Sequence, residues 1–175
     1  MRTTIPLLFW LLTANLAQAM EIDHHASTLG FTVEIGGNIK EASFAGWHAT
    51  LETRDDLIAG FDVVVQIASA SLGNALFDSV MLSPDWLDAA AHPEARFVVD
   101  RIESSGRGSH TATGMLTLNG HERPLAVTIR EVGPLDDRTF EVFAQLSRLD
   151  FGMTDITAPV AETVAITGRI HLLDQ

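Results

Sequence analysis

The chain has no cysteine and one lysine, Lys40, in 175 residues. Each scarcity excludes something. Without cysteine there is no disulfide and no thiolate metal site, so a stable fold must come from a core that the chain itself buries. Basic groups are few: 11 Lys and Arg stand against 23 Asp and Glu, a formal charge of −12. Such a surface repels phosphate backbones and anionic headgroups, which argues against nucleic acid and against electrostatic membrane binding. Long apolar runs are also scarce. "IPLLFWLLTANL" follows Arg2 and leads to small residues at Ala17 and Ala19, the pattern of a secretory signal peptide. Residues 1–19 are therefore expected to be a removed leader and 20–175 the mature domain. Losing Arg2 leaves ten basic groups against 23 acidic ones and a formal charge of −13. With no cysteine at the cut, a lipoprotein anchor is not expected. No later run is long enough to span a bilayer, so no stable membrane insertion is expected after cleavage.

Catalytic and metal patterns are missing too. There is no G-x-S-x-G, and "GRGSH" at 106–110 has the wrong spacing for a nucleophile elbow. "GGNIK" at 36–40 precedes no helix that could cradle a phosphate. Asp23, His24 and His25 stand in a row, but neighbours on a strand face opposite sides, so His24 and His25 cannot share an ion there. His48, His92, His110, His121 and His171 lack helical ligand spacing. The expectation is no metal site and no enzyme.

What the sequence does have is a period of two. Leu29, Phe31, Val33 and Ile35 alternate with polar or small residues; so do Phe61, Val63, Val65 and Ile67. The pattern recurs at Leu116 and Leu118, at Leu125, Val127 and Ile129, and at Phe140, Val142, Ala144 and Leu146. It recurs again from Val164 to Leu172. These are half-buried antiparallel strands. With "KEASFAGWHATLE" and "ARFVVDRIE" they number about eight. Turn chemistry separates them at Asp55-Asp56, 104–109, Asn119-Gly120, 133–137 and 157–159. One stretch breaks the rhythm. "NALFDSVMLSPDWLDAAAHP" reads as two short helices, about 75–81 and 84–90, with Ser83 as N-cap and Pro84 in the first turn of the second. Fold class is thus all-β: an antiparallel barrel or sandwich with a helical insert. An eight-stranded barrel either fills itself with side chains or holds one small ligand.

Four blocks of the chain resemble a known family, the YceI-like polyisoprenoid-binding proteins. "GMLTLNGHERPLAVTI" (114–129) resembles its G-x-L-T-x-x-G-x-x-(R/K)-P-(V/L) signature. "SPDWLDAAAHPEARF" (83–97) is similar to its S-x-x-F-L-D-x-x-x-Y-P block, with Trp86 for Phe and His92 for Tyr. "RLDFGM" (148–153) matches R-x-D-F-G, and "EIDHHASTLGF" (21–31) matches its opening, with Ala26 where the family has His. Phe77-Asp78 stands for the family's Arg-Asp, and Met81 for its Leu. The resemblance implies a lipocalin-like barrel, exported to the periplasm, with a pocket for an isoprenoid-tailed molecule such as a quinone. Read with the apolar alternation, it makes Phe31, Phe44, Trp47, Phe97, Leu116, Leu118, Phe140 and Val142 the expected wall of that pocket. Phe77, Met81 and Trp86 are expected to border it from the insert. The partner implied is a hydrophobic small molecule, bound non-covalently; a filled barrel with a structural or partner-binding role and an enzyme acting on isoprenoid lipids are the alternatives. Nothing in the sequence sets an oligomeric state.

Overall fold

The computed structural model describes residues 21–54, 57–133 and 138–173. The expected leader, Asp55-Asp56 and Pro134 to Asp137 of the expected turn lie outside these. Ten strands form one antiparallel sheet. In chain order they are β1 (Thr28–Ile35), β2 (Asn38–Phe44), β3 (Trp47–Arg54), β4 (Leu57–Gln66), β5 (Ala70–Ser71), β6 (Glu94–Gly106), β7 (Ser109–Leu118), β8 (His121–Val132), β9 (Thr139–Ser147) and β10 (Val160–His171). In space the order is β3-β4-β6-β7-β8-β9-β10-β1-β2-β5. The all-β barrel that the resemblance implied, which the alternation had left open beside a sandwich, is what the chain forms.

The strand count exceeds eight for two reasons. "KEASFAGWHATLE", read as one strand, is bent at Ala45-Gly46 into β2 and β3. The two halves lie at opposite ends of the sheet order, so this bend carries the chain from one edge of the curled sheet to the other. Gly46 is where the bend is tight: a Cβ there would lie 3.2 Å from Cβ of Gln66, whose N–H donates to the Gly46 carbonyl. The second reason is β5, a two-residue strand that pairs only with Ser43 and Phe44.

The insert yields one helix, α1 (Ala75–Met81). Its N-cap is Asn74, whose side chain accepts from the N–H groups of Leu76 and Phe77. The second helix expected at 84–90 is absent, and Ser83 is no N-cap: its hydroxyl donates back to the Val80 carbonyl. Residues 82–92 instead run as successive turns, and Asp88 has φ of 42°. A residue in that left-handed region cannot continue a right-handed helix. The turns aim Trp86 and Leu87 inward, where Leu87 joins the buried cluster of Ile67, Phe97, Phe151 and Met153.

The hairpin at Asn119-Gly120 forms as its sequence predicts, with φ of 49° and 71° at the two central residues. The segment around Asp23 does not follow its prediction. It is a turn rather than a strand, closed by Asp23 Oδ1 accepting from the N–H groups of His25 and Ala26. Those N–H groups hold the Asp23 carboxyl below its ordinary range.

Candidate functional site: an apolar cavity in the barrel

The inward residues of the alternating strands surround a cavity of about 650 Å³. The sheet's inner faces therefore do not meet to fill the barrel. Every residue expected in the pocket wall stands around it: Phe31, Phe44, Trp47, Phe97, Leu116, Leu118, Phe140 and Val142 from the strands, and Phe77, Met81 and Trp86 from the insert. Strand parity explains the placement. Phe97 and Leu116 are register partners and both line the cavity, so Leu116 points in with Phe97 while Thr117 points to solvent. Phe31 and Phe44 stack tilted at 5.6 Å, and Phe61 meets Phe97 edge-on at 6.0 Å.

Sequence reasoning missed further parts of the wall. Ile22, Leu72, Met153, Ala158 and Pro159 lie outside the alternating runs, and each lines the cavity from a connecting segment. More consequential is Arg148, the one charged side chain in the lining and only 4% exposed. Its motif was visible in "RLDFGM", but nothing local says that the side chain turns inward. The guanidinium donates to the carbonyls of Ala161, Asp155 and Val160 and to that of Met153. It is a cation satisfied by backbone rather than by a carboxylate. The 3₁₀ turn that carries it, Arg148–Phe151, is capped by the Ser147 hydroxyl accepting from the Leu149 N–H. Gly152 ends that turn at φ of 79°, with the His121 ring against its open face.

Around Arg148 the segments at this end of the sheet are fastened to one another. The Asn119 amide donates to the carbonyls of Trp86 and Phe151, tying the turn segment, the hairpin and the 3₁₀ turn together. Asp155 reinforces the next loop, its carboxyl held below the ordinary range first by the Thr157 hydroxyl and then by the Thr157 N–H.

The same end of the sheet also holds the opening. Four lining residues are also exposed: Leu76, Phe77 and Val80 on α1, and Pro159, whose carbonyl accepts from the Gly36 N–H at the β1–β2 hairpin. The mouth therefore lies between α1 and that hairpin. Asp78 anchors the helix there, accepting from the Ser71 hydroxyl and the Leu72 N–H.

The histidines stand apart from this site. His24 packs edge-on against Trp47 at 4.8 Å, covering a wall residue from outside. Among the described residues no three ligand-type side chains gather. Thr139 Oγ1 and His171 Nδ1 lie 3.0 Å apart, but neither faces the cavity. No helix among the described residues is long and apolar enough to cross a membrane.

Residues 20–172 match the family described as the YceI-like domain. A protein of Ectopseudomonas mendocina (strain ymp), named only as a UPF0312 protein, is 27% identical over 174 residues, covering 90% of this chain and 91% of its own. One from Shewanella sp. (strain ANA-3) is 31% identical over 116 residues, covering 66% of this chain and 59% of its own. Among solved structures, BcnA of Burkholderia cenocepacia superposes with a TM-score of 0.79 at 22% identity, over 86% of this chain and 99% of that one. A polyisoprenoid-binding domain from Saccharophagus degradans, described as implicated in plant cell wall breakdown, gives 0.67 at 12% identity, over 90% and 99%. These likenesses are of fold.

Proposed function

The chain belongs to the YceI-like domain family, and on that premise we propose that it is a binding or carrier protein for a long-chain isoprenoid, quinone-like or a similar amphiphilic lipid, held tail-inward in the barrel. One observation carries the reading: a cavity of about 650 Å³ is walled almost wholly by aliphatic and aromatic side chains. Its one charged lining residue, Arg148, has its guanidinium engaged with four carbonyls. Such a wall rewards apolar area. Each CH₂ it takes from water contributes ~0.8 kcal/mol, so several isoprene units supply most of an affinity without polar recognition. A polar ligand would instead leave its donors and acceptors unsatisfied, at a cost of roughly 1–3 kcal/mol each.

The signal pattern of residues 1–19 supports a periplasmic site of action, and the acidic composition fits a ligand recognised without basic clusters. Binding rather than catalysis is favoured because no nucleophile and base face the cavity together among the described residues. A filled barrel with a structural or partner-binding role has no comparable support, given the size of the cavity.

Solvent extraction of protein purified from the periplasm, followed by mass spectrometry, tests the reading. A long-chain prenyl lipid in stoichiometric amount is the expected result. Protein that carries no lipid, and whose melting temperature no long-chain compound shifts, refutes it.

A further inference from the structure

The wall of the cavity leaves the polar end of an amphiphile no place inside, so the head must lie at the mouth. What lies there is decided by the sheet edge. β5 pairs with Ser43 and Phe44, so among the described residues β2 has no neighbour beyond β1 from Asn38 to Ala42. That free edge borders the mouth, because Ile35, the register partner of Asn38, lines the cavity beside exposed Pro159.

Lys40 sits in the middle of this edge. Its register partner is Val33. Paired residues of antiparallel strands point to the same face, and Val33 is a cavity residue. The Lys40 side chain therefore leaves the sheet on the cavity side. Lys40 is exposed and outside the lining itself, which puts the ammonium at the rim rather than in the wall. The carboxylates of the two neighbouring strands face away: Glu34 is paired with Ile39, and Glu41 with Thr32, on the opposite face. Asp78 of α1 is occupied by Ser71 and Leu72. The ion pairs among the described residues all use arginines, none of them Lys40. The chain's single lysine thus has no ion pair among the described residues and stands on the inner face of a strongly acidic protein.

We propose that Lys40 is the headgroup contact of this cavity, and that the preferred ligand is a prenyl amphiphile with an anionic oxygen head. The proposal rests on the lipid-binding reading above and adds the chemistry of the head. A lysine is a compact, hydrated point charge on a flexible stem, suited to a phosphate or carboxylate that stays partly in water. The plain alternative is edge protection, since a charged residue on an exposed edge strand also discourages strand addition.

Three compounds with one tail separate these: geranylgeranyl phosphate, geranylgeranoic acid and geranylgeraniol, titrated by tryptophan fluorescence against the wild-type protein, Lys40→Met and Lys40→Arg. The wild type is expected to bind the two anions about fivefold more tightly than the alcohol, the scale of one partly exposed charge contact. That preference should shrink with added salt. Lys40→Met should lose it while binding the alcohol as before, and Lys40→Arg should retain it. Preference for the phosphate but not the acid narrows the head to phosphate and upholds the proposal. Equal binding of all three compounds by the wild type, or an unchanged anion preference in Lys40→Met, overturns the headgroup assignment alone. Failure of the wild type to bind any of them overturns the lipid-binding reading and this assignment together.

Discussion

The guanidinium of Arg148 lies 5.2 Å from the centroid of the Trp86 ring. This contact joins two segments far apart in sequence, the turn run after α1 and the 3₁₀ turn after β9, beside the cavity. The cation stacks on an aromatic face while its N–H groups hold the carbonyls of the 153–161 loop. Arg148 thus acts as a fastener at the cavity wall.

Arg148→Met should therefore destabilise the fold by roughly 3 kcal/mol or more, because several buried carbonyls lose their donor at once. Arg148→Lys should recover little, since a lysine lacks the planar fork that reaches carbonyls on separate segments. Urea denaturation of the three proteins measures this; a lysine variant as stable as the wild type would show that the charge alone matters.

The packed core and the mouth should respond differently to truncation. Phe151 is 2% exposed in the buried cluster, so Phe151→Ala should cost about 3–5 kcal/mol. Phe77 is 44% exposed at the mouth, and Phe77→Ala should cost well under 1 kcal/mol of stability while weakening ligand binding. Thermal denaturation with and without a long-chain prenyl alcohol distinguishes the two effects.

A ligand that binds only the folded state, present at 100 times its dissociation constant, adds ~2.7 kcal/mol of stability. For a domain of this size that raises the melting temperature by about 2–4 °C per kcal/mol. Delipidated protein should gain this shift from a long-tailed quinone and not from its short-tailed analogue. Phe97→Arg places a charge in the tail space, at a cost of several kcal/mol unless it finds a partner, and should abolish the shift. Circular dichroism establishes that the variant is folded; a folded variant with an undiminished shift would place the ligand elsewhere.

Acid should weaken the fold through identified carboxylates. The Arg96 side chain holds Asp62 below its ordinary value of 3.8, and that of Arg130 holds Glu141 below 4.5. Each carboxyl ionises more readily folded than unfolded. Its stabilisation is complete above about pH 5 and fades as the pH falls through the lowered folded value. The melting temperature should be flat in these groups from pH 5 to 7 and fall below that range, modestly because both pairs are exposed. Asp62→Asn should flatten part of the fall; an unchanged profile would show that the Asp62–Arg96 pair adds nothing.

Much of this protein is written locally. Alternation alone assigned Phe31, Val33, Leu116, Leu118, Phe140 and Val142 to one face of their strands, because side chains on a strand can only go to one side or the other. Asn119-Gly120 specified its hairpin because both residues tolerate positive φ. Four motif blocks identified the family. Local signals failed where a distant partner decided the outcome. Helical spacing in 84–90 gave way to turns that bring Trp86 to Arg148 and to the Asn119 amide. Apolar alternation in "KEASFAGWHATLE" could not reveal the bend at Ala45-Gly46, which exists because one segment must reach both edges of the sheet. The cavity was likewise beyond the sequence. Which face a residue takes is a property of its own strand, but the distance between opposite walls depends on the number and stagger of all the strands. Only the assembled sheet determined that these apolar faces stand apart around about 650 Å³ and that Lys40 stands at the rim.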